Sequence, residues 1–121
     1  MKGGAIMSKV YLSNTFSLGM LNNSAPVNLV VRPISLDEVK ALLRNNGFES
    51  CIGHAATAEL LSNLLDIEVP VNRIAIKVVS GDAVIVFQLQ IRLAEGHILT
   101  KEELIDLLNR GQASFMLVEI Q

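Results

Sequence analysis

Two capping boxes constrain the fold of this chain more than any other sequence feature. Ser35 stands three positions before Glu38, and Thr100 stands three positions before Glu103. In such a box the hydroxyl oxygen accepts a hydrogen bond from the backbone N–H of the glutamate, and the carboxylate accepts one from the backbone N–H of the hydroxyl residue. Each box precedes an apolar helical stripe, so the sequence predicts helices in "SLDEVKALLRNNG" and "TKEELIDLLNRG".

The remaining apolar segments predict a sheet and one more full helix. The helix is predicted in "HAATAELLSNLL", and "TFSLGML" predicts one or two helical turns. Strands are predicted in "KVYLSN", "VNLVVRPI", "FESCIG", "NRIAIKVV", "AVIVFQLQIRL" and "ASFMLVEI". The turn "SGD" between the fourth and fifth of these predicts a hairpin. This order indicates an α+β fold, a single compact domain with a mixed β-sheet flanked by helices.

The domain is expected to occupy residues 8–121. A strand pattern begins just after Met7, which is itself a candidate start. Residues 1–7 are therefore interpreted as a disordered or dispensable extension, and they lack the long apolar core of a signal peptide.

The hydrophobic content and the charge of the chain limit the kinds of partner that are expected, whether another subunit, a membrane or a nucleic acid. Half of the residues are hydrophobic and 18% are charged, which is rich for a small monomer and predicts a buried subunit interface. No apolar run approaches the roughly 20 residues that span a bilayer. A net charge of −2 argues against binding long nucleic acid nonspecifically. The single cysteine, Cys51, excludes an intrachain disulfide and is typical of a reducing compartment such as the cytoplasm.

Gly53-His54 stands where a predicted strand enters a helix. Glycine lets a ligand or another backbone approach closely, and the helix N-terminus offers unpaired N–H groups to a phosphate. A histidine there could protonate a departing oxygen. The competing interpretation, favoured by local sequence alone, is a polar residue that satisfies the helix end.

Other polar residues have similarly divided interpretations. Arg92 and Glu95 could bind and orient a phosphate, or could form a solvated ion pair at a strand end. Arg73 and Lys77 would share one face of a strand as a small basic patch, or simply face solvent. The cluster at 13–17 fits either a sugar-binding site or ordinary turn chemistry.

A metal site is not favoured by the sequence. Cys51 and His54 have a Cys-x-x-His spacing, but no second pair accompanies them and His97 is the other histidine. The sequence therefore predicts no metal ligands and no cofactor.

Five segments together carry a resemblance to a known family. They are "KVYLSNTFSLGML", "CIGHAATAELLSNLL", "NRIAIKV", "VFQLQIRLAEGHILTKEEL" and the terminal apolar strand. In this order and spacing they resemble the viral anti-CRISPR ring nuclease family of type III systems. The resemblance implies homodimers that cleave cyclic tetra-adenylate, the second messenger of those systems, without a metal. The ribose 2′-hydroxyl would be the nucleophile, and linear di-adenylates the products.

The resemblance also implies roles for single residues. His54 matches the general acid, Arg92 the arginine that binds the scissile phosphate, and Glu95 an acidic residue that positions the reacting groups. Residues that resemble those lining the ligand pocket are Asn14, Ser17, Thr57, Arg73 and Gln88.

Two other function classes remain open at this point. The pocket could sequester a cyclic nucleotide without useful turnover, although storage needs no general acid. The chain could instead be a small regulatory or DNA-binding interaction protein, against which the acidic composition counts.

Overall fold

The computed structural model describes residues 8–22, 24–91 and 99–121. The strands in these ranges are β1 (Val10–Ser13), β2 (Leu29–Ile34), β3 (Glu49–Ser50), β4 (Ala83–Leu89) and β5 (Ala113–Ile120). The α-helices are α1 (Leu36–Asn46), α2 (Ala55–Leu65) and α3 (Lys101–Asn109), and a short 3-10 helix spans Leu18–Met20. The predicted extension, residues 1–7, lies outside the described residues.

The strands form one mixed sheet in the order β2-β5-β4-β1-β3. Strand β1 pairs in parallel with both β3 and β4, whereas β5 pairs antiparallel with both β2 and β4. The predicted α+β domain with a mixed sheet and flanking helices is therefore confirmed.

Both capping boxes form, which explains where two of the helices begin. Ser35 Oγ accepts from the Glu38 N–H at 3.1 Å, and Glu38 Oε1 accepts from the Ser35 N–H at 3.2 Å. The Thr100–Glu103 box before α3 has the same pair of bonds, at 3.1 and 3.0 Å. These bonds satisfy N–H groups that a helix start would otherwise leave unpaired.

The predicted hairpin between residues 72–79 and 83–93 is wrong. Residues 72–79 form no regular strand, and Val78 makes only an isolated parallel bridge with Leu21. Strand β4 has β1 on one edge and β5 on the other, so neither edge is free for a hairpin partner. The turn itself does form, because the Asp82 carboxylate accepts the Val79 N–H at 2.9 Å. The predicted strand "FESCIG" is also shorter than expected, since β3 ends at Ser50.

The two faces of the sheet are covered differently. The helices contribute Val39, Leu61 and Leu104 to the larger core cluster, which packs on strand residues such as Leu12 and Ile85. Alternate strand residues face the second cluster, which irregular segments cover with Phe16, Met20, Ile76 and Val78. Alternation along each strand thus divides the core into a helix-covered face and a loop-covered face.

Among the described residues, no helix has both the length and the apolar character needed to cross a bilayer.

Candidate functional site

A groove of about 590 Å³ runs between α2 and the end of β4. Its polar lining residues are Asn14, Thr57, Glu59, Asn63, Gln88 and Gln90. Its apolar lining residues are Ala56, Leu60, Phe87, Leu89 and Leu99. A volume of this size, with an apolar body and a few polar groups, is typical of a small-ligand site.

Sheet topology explains why these polar residues meet. Strands β3, β1 and β4 run in the same direction, so their carboxyl ends lie at one edge of the sheet. Asn14 follows β1, Gln88 lies near the end of β4, and His54 follows β3. Ligands of parallel sheets bind at this edge, which makes the groove the leading candidate for a binding site.

Helix α2 turns one face toward the groove. Thr57, Leu60 and Asn63 recur at steps of three residues and all line it. Asn63, Glu59 and Gln90 were missing from the residues predicted for the site. The helical spacing from Thr57 could have identified Asn63, whereas nothing in the local sequence marks Glu59.

His54 is the N-cap residue of α2 and its side chain is exposed. Its backbone carbonyl accepts the Ala58 N–H at 3.0 Å, but its side chain makes no capping hydrogen bond. The side chain of this histidine therefore does not satisfy the helix end, while the rest of the competing interpretation, that the residue has no catalytic role, is not tested by this geometry. His54 does not itself line the groove; it stands just before Ala56 and Thr57, which do.

Gly53 is a point of close approach, but the approaching group is the Arg73 side chain and not the ligand or backbone that was predicted. A Cβ on Gly53 would lie 3.1 Å from Arg73 Cγ and 3.4 Å from its Cβ. The aliphatic stem of this arginine therefore occupies space that any larger residue at 53 would take. Arg73 therefore packs beside Gly53, the residue that precedes His54, although the two segments are distant in the sequence.

Arg73 and Lys77 do not form the predicted patch on a strand face, because no regular strand spans them. Lys77 Nζ instead donates to the Gly19 carbonyl at 2.6 Å. Ser17 is the exposed N-cap residue of the 3-10 helix and is not among the groove-lining residues.

The hydrogen bonds of Ser13 support the interpretation of the cluster at 13–17 as an ordinary turn. Ser13 is buried, donates to the Thr15 carbonyl at 2.8 Å and accepts the Thr15 N–H at 3.2 Å. Asn14, between them, is exposed and lines the groove.

Arg92, Glu95 and His97 lie outside the described residues. The roles predicted for Arg92 and Glu95 therefore stay predictions. Gln90 and Leu99, which are described on either side of them in the sequence, both line the groove.

Within residues 8–22, 24–91 and 99–121, no cluster of three or more His, Cys, Asp or Glu residues could hold a metal ion. Cys51 is half-buried, and burial, with a smaller contribution from the Glu49 carboxylate, raises the pKa of its thiol to about 11. This thiol is therefore protonated at neutral pH and is a poor nucleophile.

Comparison with known proteins places the chain in a family. The family model described as STIV B116-like matches residues 10–111, which include every predicted site residue. The chain belongs to the STIV B116-like family. Its fold agrees, since B116 of Sulfolobus turreted icosahedral virus superposes with a TM-score of 0.80 at 28% identity, over 92% of this chain and 98% of that one.

Relatives of this STIV B116-like chain come from archaeal viruses and from a bacterium. Protein 26 of Sulfolobus islandicus filamentous virus is 38% identical over 96 residues, 78% of this chain and 80% of that protein. Protein ORF117 of Acidianus two-tailed virus is 39% identical over 98 residues, 78% and 82% of the two chains. YddF of Bacillus subtilis is 37% identical over 73 residues, 59% and 68% of the two chains.

Proposed function

We propose that this protein is a ring nuclease that cleaves cyclic tetra-adenylate and so ends type III CRISPR signalling. One observation carries the proposal: an exposed histidine with no capping bond begins the helix whose first turn lines the groove. A histidine in that position is available to a bound substrate. The resemblance in the five sequence segments supplies the substrate and the reaction.

The reaction is a transesterification that needs a proton donor. The 2′-hydroxyl of one ribose gives its proton to water as its oxygen forms a bond to the neighbouring phosphorus, and the bond from phosphorus to the 5′-oxygen breaks, which leaves a cyclic phosphate end. His54 donates its proton to that departing oxygen. Arg92 stabilises the charge on the phosphate, and Glu95 positions the reacting groups. Two such cleavages convert the ring into linear di-adenylates.

Several described features suit a phosphate ester with exposed bases. The first turn of α2 directs backbone N–H groups outward with the positive end of the helix dipole. Arg73, packed on Gly53, adds a cation that can pair with a phosphate in a bidentate manner. The amides of Asn14, Asn63 and Gln88 can hydrogen-bond ribose hydroxyls or base edges. A second chain would double each of these groups, as a ring with near two-fold symmetry requires.

The experiment is cleavage of labelled cyclic tetra-adenylate in EDTA by the wild type and by His54→Ala. Wild type is expected to give linear di-adenylate, and the variant to be slower by roughly 10²-fold or more, the usual contribution of a general acid. Because the His54 side chain makes no capping bond, the variant should unfold at nearly the wild-type temperature. A thermal melt of the variant therefore shows whether a slower reaction comes from the missing imidazole or from unfolding.

Other outcomes would replace the proposal. Tight ring binding without product would indicate a sequestering protein. An intact and unbound ring, together with retardation of DNA at low salt, would indicate a nucleic-acid-binding protein. Equal rates for wild type and His54→Ala would remove the histidine from the mechanism.

A further inference from the structure

We infer that Asn72 is a positioning residue, which holds Arg73 beside the start of α2. This inference rests on the proposed function and adds to it a residue that does not touch the groove. Its basis is a set of hydrogen bonds between residues 70–72 and residues 50–52.

Asn72 makes two bonds to the end of β3 and the residues just after it. Its backbone N–H donates to the Ile52 carbonyl at 2.8 Å, and its side-chain Nδ2 donates to the Ser50 carbonyl at 2.7 Å. Ile52 is fully buried and Ser50 is 3% exposed, so the acceptors belong to the rigid core. The backbone of Asn72 is thereby fixed against that of β3.

Ser50 completes the connection from the other side. Its Oγ donates to the Pro70 carbonyl at 2.7 Å and accepts the Ile52 N–H at 3.2 Å. A segment with no strand pairing of its own is thus tied to β3 at both Pro70 and Asn72. We call these bonds among Ser50, Ile52, Pro70 and Asn72 the 50–72 tether.

Arg73 is the first residue beyond the tether. Its Cβ, Cγ and Cδ pack along Gly53, the residue between the tethered Ile52 and His54. The tether fixes where the arginine stem begins, and Gly53 leaves the space in which the stem lies. With residues 70–73 held this way, the guanidinium searches a small volume near the N-terminus of α2. A positioned cation loses less conformational entropy on binding an anion than a free one does.

A double-mutant cycle tests whether Asn72 acts through Arg73. We expect Asn72→Ala to weaken binding of cyclic tetra-adenylate by about tenfold, within the hundredfold that a misplaced group can cost. Arg73→Ala should weaken it at least as much. The double variant should be no weaker than Arg73→Ala alone, because Asn72 has nothing left to position. Additive losses would overturn the inference.

A matched control distinguishes positioning from general stability. Asn46 Nδ2 likewise donates to a backbone carbonyl, that of Leu42, at 2.9 Å at the exposed end of α1. Asn46→Ala loses the same kind of bond but should bind the ring as the wild type does. If Asn72→Ala does not fold, Asn72→Ser replaces it, since serine keeps the backbone bond to Ile52 and a polar side chain but lacks the Nδ2 that donates to the Ser50 carbonyl.

A second readout does not depend on the ring. Nitrogen-15 relaxation at Arg73 Nε should show an ordered side chain in the wild type and in Asn46→Ala, and a more mobile one in Asn72→Ala. Unchanged order in Asn72→Ala would overturn the inference, even if the ring is cleaved. If the wild type neither binds nor cleaves the ring, the proposed function fails, and the relaxation contrast still decides whether Asn72 positions Arg73.

Discussion

Two residues at the start of α2 matter because a group or a bond is absent from them: Gly53 has no side chain and His54 has no side-chain capping bond. Arg73 fills the space beside Gly53. The start of α2 therefore combines an exposed imidazole and an arginine within a short stretch of surface.

Cys51 should react slowly with alkylating agents. Because burial raises the pKa of its thiol to about 11, roughly a thousandth of it is thiolate at pH 8. Iodoacetamide should therefore modify the folded protein far more slowly than the urea-unfolded chain at that pH. In the folded protein the rate should keep rising toward pH 11. A folded-state rate that levels off near pH 8.5 would contradict this expectation.

Local sequence predicted some site residues and could not predict others. The position of Gly53 between strand and helix predicted the close approach of a ligand or another backbone, but the group that approaches is the Arg73 side chain, which comes from a distant segment held by the 50–72 tether. His54 was correctly placed at the helix start, whereas its missing capping bond is a matter of side-chain geometry. The roles of Arg92 and Glu95 come from family resemblance and stay predictions.

Among the elements, helices were predicted more reliably than strand partners. The α1 and α3 starts are local, because each capping box closes within four residues. Strand pairing is not local, and the "SGD" turn suggested a hairpin that does not exist. Both edges of β4 are taken by strands from elsewhere in the chain, and periodicity contains no information on which strand that will be.

Asp66, at the end of α2, connects that helix to the start of α3 and to the middle of α1, and this connection should depend on pH. Asp66 caps α2 in the left-handed conformation, with φ of 57°. Its carboxylate accepts from Lys101 Nζ at 3.1 Å and from Lys40 Nζ at 3.5 Å. Hydrogen bonding and charge attraction from Lys101, with a smaller effect of Lys40, lower the pKa of Asp66 below its ordinary 3.8.

Because folding lowers the pKa of Asp66, its ionised carboxylate stabilises the folded protein at any pH above the pKa that Asp66 has in the unfolded chain. This stabilisation is lost as the pH falls through the pKa that Asp66 has in the folded protein. Asp66→Asn should therefore melt below the wild type at pH 7, and the difference should shrink below about pH 4. Asparagine tolerates the left-handed conformation, so the change removes mainly charge. Lys101→Gln should show the same pH dependence in thermal melts. A difference that is constant from pH 7 to pH 2.5 would contradict the assignment.

For the whole molecule, apolar exposure is concentrated outside the α-helices. Among the described residues, Val71, Ile74 and Val79 of the irregular segment at 70–79 are exposed by 52, 41 and 56%. Leu18 of the 3-10 helix is exposed by 77%, and Val30 and Val31 of the edge strand β2 by 43 and 54%. Part of the high hydrophobic content of the chain thus lies at the surface and not in the core. The subunit interface expected from composition stays a prediction.

Ring stoichiometry should report the assembly. Under the proposed function, two chains share one ring, so native mass spectrometry of His54→Ala with cyclic tetra-adenylate should show two chains and one ring. The variant is used because it should bind without rapid turnover. One ring per chain would show that a single groove suffices, and a monomer that binds no ring would argue against a shared pocket.

The sheet order also determines how this chain must fold. Val10 pairs with Ala83, Leu29 with Ile120 and Tyr11 with Glu49, so each early strand gains its partners from segments far along the chain. Among the described strands, the one pair that is consecutive in the chain and adjacent in the sheet is β4 and β5, and residues 90–112, which include α3, separate them. Folding therefore has to close long loops before any ladder forms, which is slow compared with zipping a hairpin. Until then β1 and β4 are exposed apolar segments, and a crowded cell would have time to capture them in aggregates or on chaperones.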